Sequence, residues 1–323
     1  MCNEEREKTA ILNNGFFHAV VVPEIGGNVI SLRHLASGTE LLREPANLEE
    51  LAKFPEQFGL PVLFPPNRIR DGEFTFEGRH CRLPITETAM NNHLHGLAVG
   101  KKWEVVSADQ NAIELKFVFS PESPEYEGFP FAFTLKRNLM LTSYGLTDQM
   151  TVTNDGQWNM PLGLGYHSTF PAKPAEIRLS AGPDQLEIGD RFLSTGRHLP
   201  WSEFDPRNRF NPDGINAGFH TCSEEMILED GTPFHGAEIY YDSGLLQYLT
   251  DEKFRFWYTW NKRGKGDFIS LEPVSWMANA LNQELPPEET GVRMLAPGAE
   301  SVFLCELRFF QRRNTKTLFP EQK

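Results

Sequence analysis

The chain is poor in the features that mark several large classes of protein. It holds four cysteines in 323 residues, Cys2, Cys81, Cys222 and Cys305. They lie far apart and form no Cys-x-x-Cys pair, which leaves no zinc knuckle and no thioredoxin-type motif and predicts reduced thiols. Basic residues are outnumbered, 31 Lys and Arg against 44 Asp and Glu, for a formal net charge of -13. Clustered cations that could neutralise a phosphate backbone are absent, so nucleic acid is not an expected partner. No apolar run approaches the ~20 residues that cross a bilayer, and Met1-Cys-Asn-Glu-Glu-Arg-Glu-Lys8 is charged where a signal peptide is apolar. A soluble, cytoplasmic protein with no membrane partner is the expectation. Helical signal is thin and no βαβ rhythm appears; no repeat or low-complexity linker divides the chain.

Apolar and aromatic residues are plentiful, 40% and 12% of the chain, with 25 Phe. That is ample for a large core. Short alternating or aromatic-rich runs recur: 17–22, 28–32, 113–119, 131–136 and 146–153, then 237–241, 245–249, 254–260 and 301–309. In the last, Val302, Leu304, Glu306 and Arg308 alternate with Phe303, Cys305, Leu307 and Phe309, the period of a strand with one buried face. Gly, Pro, Asn and Asp punctuate the runs, with 26 Gly and 23 Pro along the whole length. One helix is expected over 47–54, with Asn47 as N-cap and acids in its first turn. The pattern predicts an all-β chain, one large antiparallel β-sandwich forming a single domain over residues 1–323.

Four segments concentrate residues that carry chemistry. In Leu63-Phe-Pro-Pro-Asn-Arg-Ile-Arg-Asp-Gly72 the prolines force an extended entry, Gly72 permits a hairpin turn, and Arg68 and Arg70 share a strand face. Arginine beside apolar residues offers directional donors to hydroxyls or a carboxylate, although a solvated strand face is the bland reading. In Asn91-Asn-His-Leu-His-Gly96, His93 and His95 point the same way on a strand, which is also the geometry of paired metal ligands in a cupin-like jelly roll. The first acid after them is Glu104, too late for that motif, and no metal is expected. In Gly163-Leu-Gly-Tyr-His-Ser-Thr-Phe170, glycines allow close backbone approach and aromatics ring His167, a setting suited to the C–H face of a sugar. A hydrogen-bonded core histidine is the alternative. In Phe268-Ile-Ser-Leu-Glu-Pro273, Glu272 is placed to end a buried strand. A carboxylate so placed has a partner or a raised pKa, and either suits a general base, as it also suits a structural ion pair.

Taken in order, these segments resemble the aldose 1-epimerase (galactose mutarotase-like) family. The resemblance is carried by Phe64-Pro-Pro-Asn-Arg-Ile69, by Leu94-His95-Gly96 ahead of Trp103-Glu104, by Pro161 to Phe170 around His167, and by Leu271-Glu272-Pro273 with Asn279 and Asn282 downstream. It implies a β-supersandwich and cofactor-free, metal-free interconversion of the α and β anomers of a free aldose, a monosaccharide substrate. It implies Glu272 as the general base at the anomeric hydroxyl and His167 as the general acid at the ring oxygen. His95 would hydrogen-bond the sugar as charge shifts, and Asn67 and Arg68 would hold hydroxyls. The family usually offers an Asp in a Gly-Ile-Asp segment; here Gly214-Ile-Asn-Ala-Gly-Phe219 puts Asn216 there, an uncharged hydrogen-bonding side chain. Asp213 and Asp242 are the alternative acids for that place. A hexose-6-phosphate 1-epimerase using Arg68, Arg70, Lys101 or Lys102, and a catalytically silent carbohydrate-binding protein, are the other readings of the same fold.

Overall fold

Alternation builds most of this molecule. The strand Phe133–Leu141 reads Phe-Thr-Leu-Lys-Arg-Asn-Leu-Met-Leu, and every second residue, from Phe133 through Leu135 and Leu139 to Leu141, is buried. The intervening Thr134, Lys136, Asn138 and Met140 face outward, so one side of the sheet seeks a core and the other does not. The structure, a computed structural model, describes residues 8–171, 176–202, 204–212, 218–228, 230–262 and 267–312.

Two eight-stranded sheets dominate. The first runs, in spatial order, Glu104–Ala108, Ala112–Phe119, Phe133–Leu141, Gly145–Asn154, Glu300–Gln311, Gly244–Thr250, Gly236–Tyr241 and Glu176–Leu179. The second runs Ser194–Pro200, Ala181–Ile188, His220–Ser223, Phe256–Trp260, Phe268–Val274, Gly165–Tyr166 and Val62–Leu63, with Ser168–Pro171 also paired to Phe268–Val274. Neighbouring strands pair antiparallel in both. A four-stranded N-terminal sheet spans Ala10–Asn13 to Thr39–Glu40. Seven of the nine runs expected from alternation fall within strands, most of them one or two residues longer than the pattern suggested, whereas 131–136 and 254–260 each begin two residues ahead of their strands, Phe133–Leu141 and Phe256–Trp260. The short helix Leu48–Lys53 is capped by Asn47, whose side chain accepts from the Glu50 N–H at 2.9 Å.

The two large sheets face each other across one apolar cluster. Tyr248 of the first packs against Phe170 (5.7 Å between ring centroids) and Trp257 (6.1 Å) of the second, and its hydroxyl meets Ser168 Oγ at 2.8 Å. Period 2 then fixes the rest: residues next to Ser168, Phe170, Trp257, Ile269 and Leu271 project from the opposite face of the second sheet. That face is covered in part by a smaller cluster of Phe256, Tyr258, Val274 and Trp276. All seven residues of Phe268–Val274 are buried, as expected of a strand covered on both sides.

Candidate active site

The register of the second sheet assembles the site. Gly165 pairs with Val274 and Ser168 with Leu271, which sets His167 opposite Glu272. Glu272 in turn pairs with Tyr258, and Tyr258 with His220. Four adjacent segments thereby place His167, Glu272, Tyr258 and His220 in one transverse row, on the face turned away from the core between the sheets. The strand does not end at Glu272, as the following proline suggested, but runs on through Pro273 to Val274. Ser275 N–H donates to Leu164 C=O. By the alternation of an antiparallel ladder, Pro273 would donate to Tyr166 but has no N–H. The partner strand is interrupted there, between Gly165–Tyr166 and Ser168–Pro171, and His167 occupies the gap.

The opposite wall is irregular. Asn67 (φ 62°) and His95 (φ 67°) both adopt the left-handed conformation, which the short polar side chain of Asn tolerates better than most. They are tied together by His95 N–H donating to Asn67 C=O at 3.1 Å. Gly96 follows with φ 83°, and a Cβ there would lie 2.3 Å from the Phe64 carbonyl, so only glycine fits. Between these turns the strands Arg68–Arg70 and Asn92–Leu94 pair, and Asn279 closes the other edge by donating to Arg68 C=O and accepting from Arg70 N–H. Arg68 grips Glu87 bidentately, Nε to Oε2 and Nη2 to Oε1, each at 2.9 Å. Asn92 adds a donor to Glu87 Oε2 at 2.8 Å.

The two walls enclose a cavity of about 680 Å³, of the size that takes a small molecule. His95, His167, Glu272, Asn67, Arg68, Glu87, His220, Tyr258, Trp260 and Phe192 are among its lining residues. His167 Nε2 lies 3.1 Å from Glu272 Oε1, both side chains about 95% buried. The His95 ring meets the His167 ring edge-on at 5.2 Å, and Trp260 flanks His167 at 5.9 Å. Tyr258 supports the floor, its hydroxyl accepting from Ala278 N–H at 2.6 Å and its ring 3.9 Å from that of His220.

Burial sets the charges. It lifts the Glu272 carboxyl to about 8 against an opposing pull from Arg68, and drops the His167 imidazole to about 4. His220 falls to about 3 and His95 well below its ordinary range, both first through burial. The His167–Glu272 contact would be an ion pair only with the proton on the imidazole; burial favours the neutral arrangement, with the proton on the carboxyl. Between these two values the pair holds one transferable proton across the 3.1 Å contact, ready for general acid–base work near neutrality.

The sequence-derived candidates converge unequally. His95, His167, Glu272, Arg68 and Asn67 all line the cavity. Asn216 and Asp213 lie outside the described residues. Asp242 is exposed at the Tyr241–Gly244 hairpin of the first sheet and is not a cavity residue. Arg70 does not share the Arg68 environment as alternation implied; it is exposed and lies outside this cavity. His93 is bonded to the Pro84 carbonyl at 2.8 Å rather than facing the cavity with His95. Among the described residues no group of three or more His, Cys, Asp or Glu is disposed to hold a metal ion. Glu87, His220, Tyr258 and Trp260 went unnoticed in the sequence. Strand alternation in Phe256–Trp260 could have put Tyr258 and Trp260 on one face, but nothing local pairs that face with Glu272.

Comparison with known proteins agrees with this architecture. The aldose 1-epimerase family profile matches residues 8–307. A crystal structure of a galactose mutarotase-like protein from Clostridium acetobutylicum superposes with a TM-score of 0.88 at 26% identity, covering 94% of this chain and 95% of that one. An aldose epimerase homologue from C. elegans shares the fold at a TM-score of 0.75 and 16% identity, covering 94% and 100%. The Escherichia coli (strain K12) protein YphB, itself uncharacterised, is 24% identical over 253 residues, 75% of this chain and 80% of its own length. Among the described residues no helix is long and apolar enough to cross a membrane.

Proposed function

We propose, from the premise that this chain belongs to the aldose 1-epimerase family, that it interconverts the α and β anomers of a free aldose by general acid–base catalysis. The observation that carries this reading is the buried 3.1 Å contact between His167 Nε2 and Glu272 Oε1 on the floor of a sugar-sized cavity. A shift of the shared proton from Glu272 to His167 leaves a carboxylate beside an imidazolium at no change in net charge. The carboxylate takes the proton of the anomeric hydroxyl while the C1–O5 bond breaks and O5 takes the proton from His167. Rotation about C1–C2 presents the other face of the aldehyde. In the return step O5 attacks C1, gives its proton back to His167, and the new hydroxyl recovers its proton from Glu272. His95 is placed to steady the charge moving between O1 and O5, and Asn67 and the Arg68–Glu87 pair to hold hydroxyls. Trp260 and Phe192 offer apolar faces to the ring.

An unphosphorylated substrate is supported by where the cations sit. Arg68 is the only Lys or Arg lining the cavity among the described residues, and its fork is occupied by Glu87. Arg70 is outside, while Lys101 and Lys102 are engaged by Glu125 at 3.0 Å and Glu24 at 2.7 Å. Polarimetry of freshly dissolved α-glucose and α-galactose, extended to a panel of free and phosphorylated aldoses, tests the proposal. Acceleration over the buffer rate for a free sugar is expected. Equal rates with and without protein across the panel would overturn the enzymatic reading, and faster turnover of the 6-phosphates would overturn the assignment to free sugars.

A further inference from the structure

Behind His167 lies a chain of hydroxyls that the acid–base reading does not use. Thr169 sits two residues on in the same strand, and Ser270 lies opposite Thr169 as Glu272 lies opposite His167. Thr169 and Ser270 are fully buried. Three contacts link them: Thr169 Oγ1 to the His167 carbonyl at 3.1 Å, Ser270 Oγ to Thr169 Oγ1 at 3.2 Å, and His167 Nδ1 to Ser270 Oγ at 3.2 Å. Each hydroxyl owns one hydrogen, so the directions can be counted. A carbonyl only accepts, hence the Thr169 hydrogen goes to His167 C=O. Thr169 Oγ1 must therefore accept from Ser270, which spends the Ser270 hydrogen. Ser270 Oγ is left as an acceptor, and the only donor facing it among the described residues is His167 Nδ1.

We infer that Ser270 and Thr169 are positioning residues that hold His167 in the tautomer with hydrogen on Nδ1, leaving the Nε2 lone pair toward Glu272 and the cavity. Glu272 is then the natural donor across the 3.1 Å contact. The arrangement matters for the direction of proton flow. With Nδ1–H held by Ser270, Nε2 can receive the Glu272 proton and pass it on, returning each time to neutral imidazole. With the other tautomer, Nε2–H could be given up only by forming an imidazolate, a far weaker acid-to-base couple for this step. The consequence for turnover rests on the proposed acid–base function; the tautomer itself does not.

Imidazole ¹⁵N–¹H NMR of the full chain labelled at histidine, with His167 assigned through a His167→Asn variant, reads the tautomer directly. The expected result is protonated Nδ1 and unprotonated Nε2 at neutral pH. Thr169→Val keeps the shape but removes the acceptor for Ser270, whose hydroxyl should turn and donate to Nδ1; the NMR signature should move to the Nε2–H tautomer. Ser270→Ala should release the same preference and lower kcat by about 100-fold with KM within about 2-fold, and Ser270→Thr should restore both. A wild-type spectrum showing Nε2–H, or a folded Thr169→Val that keeps Nδ1–H, would overturn the inference. Either outcome is legible in a protein that turns over no sugar, so the two proposals fail separately.

Discussion

Two buried acid–base pairs stand out among the described residues, and they are built to opposite ends. In the first sheet Arg137 and Asp148 are diagonal neighbours on adjacent strands, Arg137 opposite Met150 and Asp148 opposite Leu139, with Arg137 fully buried. Arg137 Nη2 meets Asp148 Oδ2 at 2.5 Å and Nε meets the same oxygen at 3.0 Å; Nη1 donates to Gly27 C=O at 2.7 Å and Nη2 to Leu60 C=O at 3.1 Å. Burial pulls the guanidinium pKa down, Asp148 together with Tyr166 and Cys305 outweighs it, and the net shift is upward. The guanidinium charge is permanent. In the second sheet Glu272 has His167 and no other hydrogen-bond partner among the described residues, and burial acts on both groups with little to oppose it. Where fixed donors surround a buried acid, they hold its charge; where they are withheld, the proton becomes mobile.

Replacing each pair should separate the two roles. Glu272→Gln is expected to lower kcat for mutarotation by about 1000-fold while far-UV circular dichroism stays that of the wild type. Retained turnover in that variant would remove Glu272 from the base role. Arg137→Met should do the reverse. It leaves Asp148 buried without its partner and should destabilise the fold by about 3–5 kcal/mol in urea titrations, with kcat per folded molecule little changed. A double replacement, Arg137→Met with Asp148→Leu, should recover much of the loss, since the penalty comes from the orphaned charge.

The mobile proton also predicts a pH profile. Activity needs one proton on the His167–Glu272 pair, so kcat/KM should hold between about 4 and about 8. Below that window the pair has no base, and above it no acid; steady-state kinetics of a folded enzyme across pH 4–9 would show the limbs. The smallest effect concerns stability. The Glu272 carboxyl is raised from 4.5 to about 8 in the folded chain, so the native state binds more protons than the unfolded one across that interval. Its contribution is fully present below about 4.5 and is lost as pH rises through 8. Glutamine carries no such proton. The Tm of Glu272→Gln relative to wild type should therefore rise by a few degrees between pH 5 and pH 8, and a constant difference by calorimetry would show that the carboxyl is not held neutral.

Much of the fold was legible because its causes are local. Alternation marked the strands, and Asn47 with its acidic first turn marked the helix Leu48–Lys53. The motif residues His95, His167, Glu272, Asn67 and Arg68 were found in segments where a polar group breaks an apolar run, and they meet in one cavity. Glu87 was not found, because its role depends on the hairpin that returns Asn92–Leu94 beside Arg68–Arg70. His220 and Tyr258 escaped for the same reason: their membership in the row is a matter of register, and the strands His220–Ser223 and Phe256–Trp260 that pair here lie far apart in the chain. Arg70 was overvalued because a three-residue strand between irregular turns does not keep one face in one environment.

The all-β class, the positions of most strands and the polar residues available for chemistry follow from local sequence, since side-chain period, proline and glycine act over a few residues. Tertiary structure decided which of those residues are neighbours and where the proton sits. Glu272 lies opposite His167 only because strands distant in the chain pair in one register, and its pKa rises only because that pairing buries it away from compensating donors. Strand pairing is non-local and desolvation depends on everything packed around a group, so neither can be read from the order of residues alone.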